Sequence, residues 1–122
     1  MLDGLKNYLA GNGYENICVD MMPDAAGQKQ AIGLFLWNAP RETLSGETSY
    51  YVQVQVRRDN YDSAKNDCKT ILDLLDSGKD ERLIPLDETL SCIGRIRRGP
   101  LLLERGAGYA TFYGEIVLWI NE

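Results

Sequence analysis

Histidine is absent from the 122 residues. That removes the side chain most used as a general base near neutral pH, and with it the commonest metal ligand. Cysteine is scarce. Cys18, Cys68 and Cys92 lie 50 and 24 residues apart with no CxxC pair, so no standard zinc set can be assembled. A catalytic cysteine would also lack its usual partner. The odd number and wide spacing predict reduced thiols in a cytosolic setting, acting as small core hydrophobes. The glycines form neither GxGxxG nor GxxxxGK, and no GxSxG elbow occurs, which excludes the common phosphate-cradling loops and the hydrolase elbow. Long apolar runs are missing too. Asp3, Lys6 and Asn7 interrupt Met1–Gly13, so a signal peptide or membrane span is not expected and the chain reads as soluble and cytoplasmic. Positive charge is in short supply: 13 basic against 18 acidic side chains give −5. That balance disfavours general affinity for nucleic acid or a polybasic membrane contact.

What is present is ordinary globular composition, 44% hydrophobic and 25% charged, which argues against disorder. A chain of 13.7 kDa can bury about two thirds of its surface, enough for one core. Residues 1–122 are therefore expected to form a single domain.

Leu2, Leu5 and Leu9 make one stripe, closed by Gly11-Asn12-Gly13, which predicts a helix over 2–11. Asn16–Met22 alternates as a strand that Pro23 stops, and 23–30 reads as a polar loop. Ala31–Trp37 is short and nearly all apolar, the pattern of a strand covered on both faces. Asn38–Glu47 reads as a ten-residue connection, longer than a usual hairpin loop. In Ser49–Arg58, Val52, Val54 and Val56 alternate with Tyr51, Gln53, Gln55 and Arg57, which predicts a strand with one covered face. Tyr61, Ala64, Cys68, Ile71, Leu72 and Leu75 form a helical stripe. The helix over 60–76 is capped by Asp59 or Asn60 and ended by Gly78. Ser77–Glu88 is irregular, Leu90–Arg98 is a strand broken by Gly99-Pro100, and Leu101–Gly108 is a turn-rich connection. Tyr109–Asn121 is a long last strand with Ala110, Phe112, Gly114, Ile116, Leu118 and Ile120 on one side.

The order helix, three strands, helix, two strands predicts an α+β fold. Its sheet is mostly antiparallel and twisted, of about five strands, with the long helix packed across one face against the Val52, Val54 and Val56 row and a short N-terminal helix.

Chemistry-bearing residues are few. The acidic pairs Asp80-Glu81 and Asp87-Glu88 sit in polar loop sequence, where adjacent acids are usually solvated rather than catalytic; a carboxylate pair formed across space stays open. Arg57 and Arg58 end one strand, and Arg95, Arg97 and Arg98 crowd another. Strict alternation puts Arg95 and Arg97 with Ile93 on one face and Arg98 with Ile96 on the other. Arginines at sheet edges can simply discourage unwanted pairing; they can equally form a patch for acidic protein or DNA. Tyr51, Gln53 and Gln55 on the third strand, and Tyr109, Tyr113 and Trp119 on the last, suit either a core or an interface.

Two stretches carry a resemblance. YYVQVQVRRDNYDSAKNDCKTILDLL (50–75) runs from a VQVQVR strand into a helix opening Tyr61-Asp62-Ser63-Ala64. In IGRIRRGPLLLERGAGYATFYGEIVLWI (93–120) a strand ending near Gly99-Pro100 is followed by a turn and a long final strand. With Asp20-Met21-Met22-Pro23 closing the early strand, the chain from about residue 15 resembles the minor capsid and tail terminator (head–tail joining) proteins of tailed bacteriophages. The resemblance implies a structural virion or prophage protein, made in the host cytoplasm. It would form a ring, often a hexamer, between tail tube and head-completion proteins, with no catalytic residue, cofactor or metal and no membrane contact. On that reading the loop 38–47, with Arg41, Glu42, Thr43 and Leu44, and the excursion 77–88 become contact elements. Tyr51, Gln53, Gln55, Arg57, Arg58, Arg95, Arg97 and Arg98 would face a neighbour, a partner or a lumen through which DNA passes without sequence specificity. Two alternatives remain: a small-molecule-binding or regulatory α+β domain of ferredoxin-like shape, and, less favoured, an enzyme using carboxylates or Cys68.

Overall fold

The computed structural model describes residues 1–42 and 47–121, the side chains of 37–42, 47, 48 and 121 excepted. Helix α1 spans Leu2–Gly11, as its leucine stripe predicts. Its end is closed by Gly13 N–H donating to the Ala10 carbonyl and Tyr14 N–H to that of Leu9, with Gly13 in the left-handed region. Helix α2 spans Tyr61–Leu75, where Asn60 accepts the Ser63 N–H at 2.8 Å. This cap satisfies one of the orphan donors of the first turn.

Among the described residues six strands form one sheet: β1 (Ile17–Val19), β2 (Ala31–Glu42), β3 (Glu47–Arg58), β4 (Ile84–Pro85), β5 (Ser91–Gly106) and β6 (Tyr109–Asn121). Their order is β1-β2-β3-β6-β5-β4. The α+β class and the mostly antiparallel sheet hold, with one parallel pair at the edge, but the strand count of about five needs correction. β1 runs parallel to β2, and β4 adds a two-residue sixth strand inside the segment read as irregular. β1 is three residues long instead of seven because Asp20 takes a positive φ, which turns the chain.

Two expected connections are largely strand. β2 continues to Glu42 and β3 begins at Glu47, pairing Arg41 with Ser49 and Glu42 with Thr48. The second correction is larger. β5 does not stop at Gly99-Pro100 but runs on to Gly106, pairing with β6 down to Gly106–Tyr109. The ladder survives the proline because register shifts fall between Ile96 and Arg98, between Arg98 and Leu101, and between Leu102 and Glu104; bulges are where a strand tolerates proline. Gly99 (φ 105°) is needed there: a side chain would meet the Gly114 Cα at 2.6 Å. The turn of the β5–β6 hairpin is Ala107-Gly108, with Gly108 at φ 74°.

The face of the sheet bearing Ile32, Leu34, Val52, Val54, Val56, Phe112, Ile116 and Leu118 is buried, as are Leu5 and Leu9 of α1 and Ala64, Cys68, Ile71, Leu72 and Leu75 of α2. Both helices therefore cover this inner face, and the helix–valine packing expected from the two stripes is what forms. Tyr61 meets Phe112 edge-on at 5.0 Å between centroids, the geometry favoured by ring quadrupoles. After α2, a short 3-10 turn (Ser77–Asp80) lies beside β5. There the Gly94 N–H donates to Ser77 Oγ at 2.9 Å and the Ile96 N–H to Asp76 Oδ1 at 3.2 Å.

Candidate interaction surface

The outer face of the sheet carries Phe35 from β2, Tyr51, Gln53 and Gln55 from β3, Tyr113, Glu115, Val117 and Trp119 from β6, and Arg95 from β5. Cross-strand register sets this: Phe35 pairs with Gln53, Gln53 with Glu115, and Glu115 with Arg98, while Tyr51 pairs with Val117 and Val117 with Arg95. Among the described residues no helix lies on this face. The aromatic and glutamine side chains named are all half-buried.

Here the structure departs from strict alternation. The shift at Arg97 inserts one extra residue, so Arg98 pairs with Glu115 and falls on the same face as Arg95. Arg97 stands over the Tyr51 ring at 4.7 Å from its centroid. All three arginines therefore share the outer side, where a two-residue period would divide them.

Glu115 anchors the group. It is 1% exposed, yet its carboxylate is bound by Arg98 at 2.6 Å and approached by Arg97 at 3.8 Å. A buried carboxylate needs such partners to remain charged. The ion pair holds the Arg98 guanidinium above its ordinary pKa, chiefly through the hydrogen bond to Glu115. Next to it, Gln55 donates to the Gln53 Oε1 at 2.8 Å. The result is a pre-ordered polar stripe flanked by aromatic rings, the mixture enriched where proteins meet one another.

Arg57 and Arg58 are placed differently. Arg57 is 6% exposed. Its Nη1 donates to the carbonyls of Pro23 and Gln28, its Nε donates to Thr111 Oγ1 at 3.3 Å, and the group stands over the Tyr109 ring. It clamps the 23–28 segment onto the outer face. Arg58 binds Asp67 at 2.7 Å and so ties the end of β3 to α2. Arg95 binds Asp76 at 2.9 Å beside the end of α2. Arg41 and Glu42 lie at the end of β2, while Thr43 and Leu44 lie outside the described residues.

The acidic pairs serve local turns. Asp80 binds Arg82 at 2.9 Å. Asp87 accepts the N–H groups of Thr89 and Leu90, each at 2.7 Å, and these backbone bonds hold its carboxyl below the usual range. Burial pushes the Cys68 and Cys92 thiols up to about 12, which keeps both protonated and unreactive. Among the described residues no group of three or more acidic or cysteine side chains could hold a metal ion, and no helix is long and apolar enough to cross a membrane. A groove of about 530 Å³, open to solvent, lies between α1 and the 85–88 segment, over Gly4 and Tyr8.

Two features escaped the sequence reading. Glu115 shows only as one acid in an apolar strand. Leu101, Leu102 and Leu103, read as the apolar start of a turn, are consecutive strand residues exposed at 43%, 47% and 46%.

The molecule is an α+β sheet with one face sealed by helices and the other, a candidate contact surface, bearing ordered arginine, glutamine and aromatic side chains. The comparison with protein families narrows this: the family model described as "Bacteriophage tail terminator protein" matches residues 2–107, and the chain belongs to that family of phage structural proteins. No curated protein matches the chain.

Proposed function

We infer that the protein is a virion component of a tailed phage or prophage that assembles as a ring at the head–tail junction and closes the tail tube. It performs no catalysis. The family match over residues 2–107 carries this reading. The outer face supports it, since Tyr51, Gln53, Gln55, Arg97 and Arg98 form a pre-ordered surface suited to the tube or head-completion partner. DNA passing through the ring would meet arginine side chains without sequence readout, because phosphate contacts position without specifying.

The test is reconstitution. Purified protein is mixed with tail tubes lacking a terminator, then followed by light scattering and negative-stain electron microscopy. Density capping one end of the tube, with an oligomer in solution or on the tube, is the expected result. A strict monomer that never binds tubes would sink the reading.

A further inference from the structure

The sheet has two open edges, and they differ in charge. At one end of the strand order lies β1, with no described strand outside it. It is bracketed by Glu15 and Asp20, both exposed. At the other end, β4 covers only Ser91 and Cys92 of β5, and Asp76 and Ser77 take the outward N–H groups of Gly94 and Ile96. From Arg97 to Gly106, no described strand lies along the outer edge of β5. That open length is ten residues, or about 33 Å of strand. It carries Arg97, Arg98 and Arg105 against Glu104 on the edge and the buried Glu115 behind the first two, so one positive charge is left over, and it carries three exposed leucines in succession.

Such an edge is what natural proteins usually blunt or cover. Here the bulges bend it, but the leucines remain exposed. An exposed apolar strand edge in a soluble protein marks a place where another strand adds.

We propose that the outer edge of β5 from Arg97 to Gly106 docks a second copy of this chain through that copy's β1 edge. Charge complementarity selects the occupant: a basic edge at one end of the sheet meets an acidic edge at the other, on a chain whose net charge of −5 would otherwise make copies repel. The contact joins two different surfaces of the same molecule, so it is heterologous. It repeats from subunit to subunit and closes into a ring when the rotation allows. The proposal rests on the ring reading above and names the surface that would build it.

Cys18 supplies the reporter. It lies on β1 and is half-buried, whereas Cys68 and Cys92 are buried. The full chain is prepared with Leu101→Cys, Leu102→Cys or Leu103→Cys and oxidised with copper phenanthroline. A disulfide needs Cα atoms within about 4.4–6.8 Å, so one of the three positions should capture Cys18 of the next copy. The expected result is a ladder of linked species above the dimer, abolished by adding Cys18→Ser. A linked dimer that survives Cys18→Ser would mean β5 meets β5, which overturns the proposal. So would the absence of any ladder in a preparation that light scattering shows to be oligomeric; that outcome leaves the ring reading standing. A monomer under all conditions, tubes included, overturns both. As a second measurement, the Leu101→Asp, Leu103→Asp double variant should lose the oligomer. Should it keep the oligomer and lose only tube binding, the edge serves the tube protein and the self-docking is refuted.

Discussion

Replacing Gly4 with alanine sets two effects of known size against each other. In an isolated helix the change would stabilise by about 1 kcal/mol, because glycine is the poorer helix former. The fold reverses that expectation. A methyl group at Gly4 would stand 2.5 Å from the Leu86 carbonyl oxygen, 2.9 Å from its Cα and 3.0 Å from its carbonyl carbon. All three atoms are main chain, so no rotamer change relieves the contact. Restoring a carbon–oxygen distance of about 3.3 Å requires α1 and the segment after β4 to separate by roughly 0.8 Å. Overpacking of this kind costs about 1–3 kcal/mol. Gly11 is the matched control: it ends the same helix, and a methyl group there meets nothing within 4 Å. The difference between the two alanine variants therefore isolates the clash. With an unfolding entropy of about 2.1 cal/mol/K per residue, a chain of this length loses about 4 °C in Tm per kcal/mol. Gly4→Ala should melt about 4–12 °C below Gly11→Ala by circular dichroism at one fixed protein concentration. Equal melting temperatures would show that α1 does not seat on the Leu86 backbone as described.

Asn60→Ala removes the side chain that accepts the Ser63 N–H; it should cost about 1 kcal/mol, seen as a lower denaturant midpoint with unchanged slope. Glu115→Gln keeps the shape but discharges the group that Arg98 and Arg97 approach. Because both arginines are about half exposed, the loss should be well below that expected of a fully buried pair, read as a lower denaturant midpoint, and a variant as stable as the parent would show that the pair contributes nothing. At pH 8 a thiol reagent should titrate Cys18 alone in the folded protein and all three cysteines in denaturant, since burial pushes Cys68 and Cys92 from 9.0 to about 12. The same shift sets a sign: above about pH 9 only the unfolded chain loses these protons, so their contribution is complete below pH 9 and is lost as pH rises toward 12. Chemical denaturation at pH 7 and pH 10 should show the decline.

Much of the fold was legible where one periodicity dominates. The α2 stripe, the valine row of β3 and the even-numbered face of β6 are each set by burial on one side, and tertiary packing merely confirms them. What escaped detection was decided across strands. Pro100 reads as a breaker because it lacks an N–H, yet β6 stabilises β5 on both sides of it by absorbing the irregularity in bulges. Ala107-Gly108 carries no strong hairpin signature. The parallel pairing of β1 depends on where β2 returns, which no local pattern encodes. The surface was half legible for the same reason. Tyr51, Gln53 and Gln55 follow from alternation alone, whereas the shared side of Arg95, Arg97 and Arg98 depends on a single inserted residue. Arg57 and Arg58 look identical in sequence, and only the third dimension sends one to the outer face under the 23–28 segment and the other to Asp67.

The acceptors at Asp76 and Ser77 have a further geometric consequence. By occupying the outward amides of Gly94 and Ile96, they divide the edge of β5 into a finished half and an unfinished half, with the boundary at Arg97. Any strand that adds to this edge must halt at that boundary, because beyond it the donors are spent. On the docking proposed above, the end of α2 would act as an end-stop for the strand that joins the sheet.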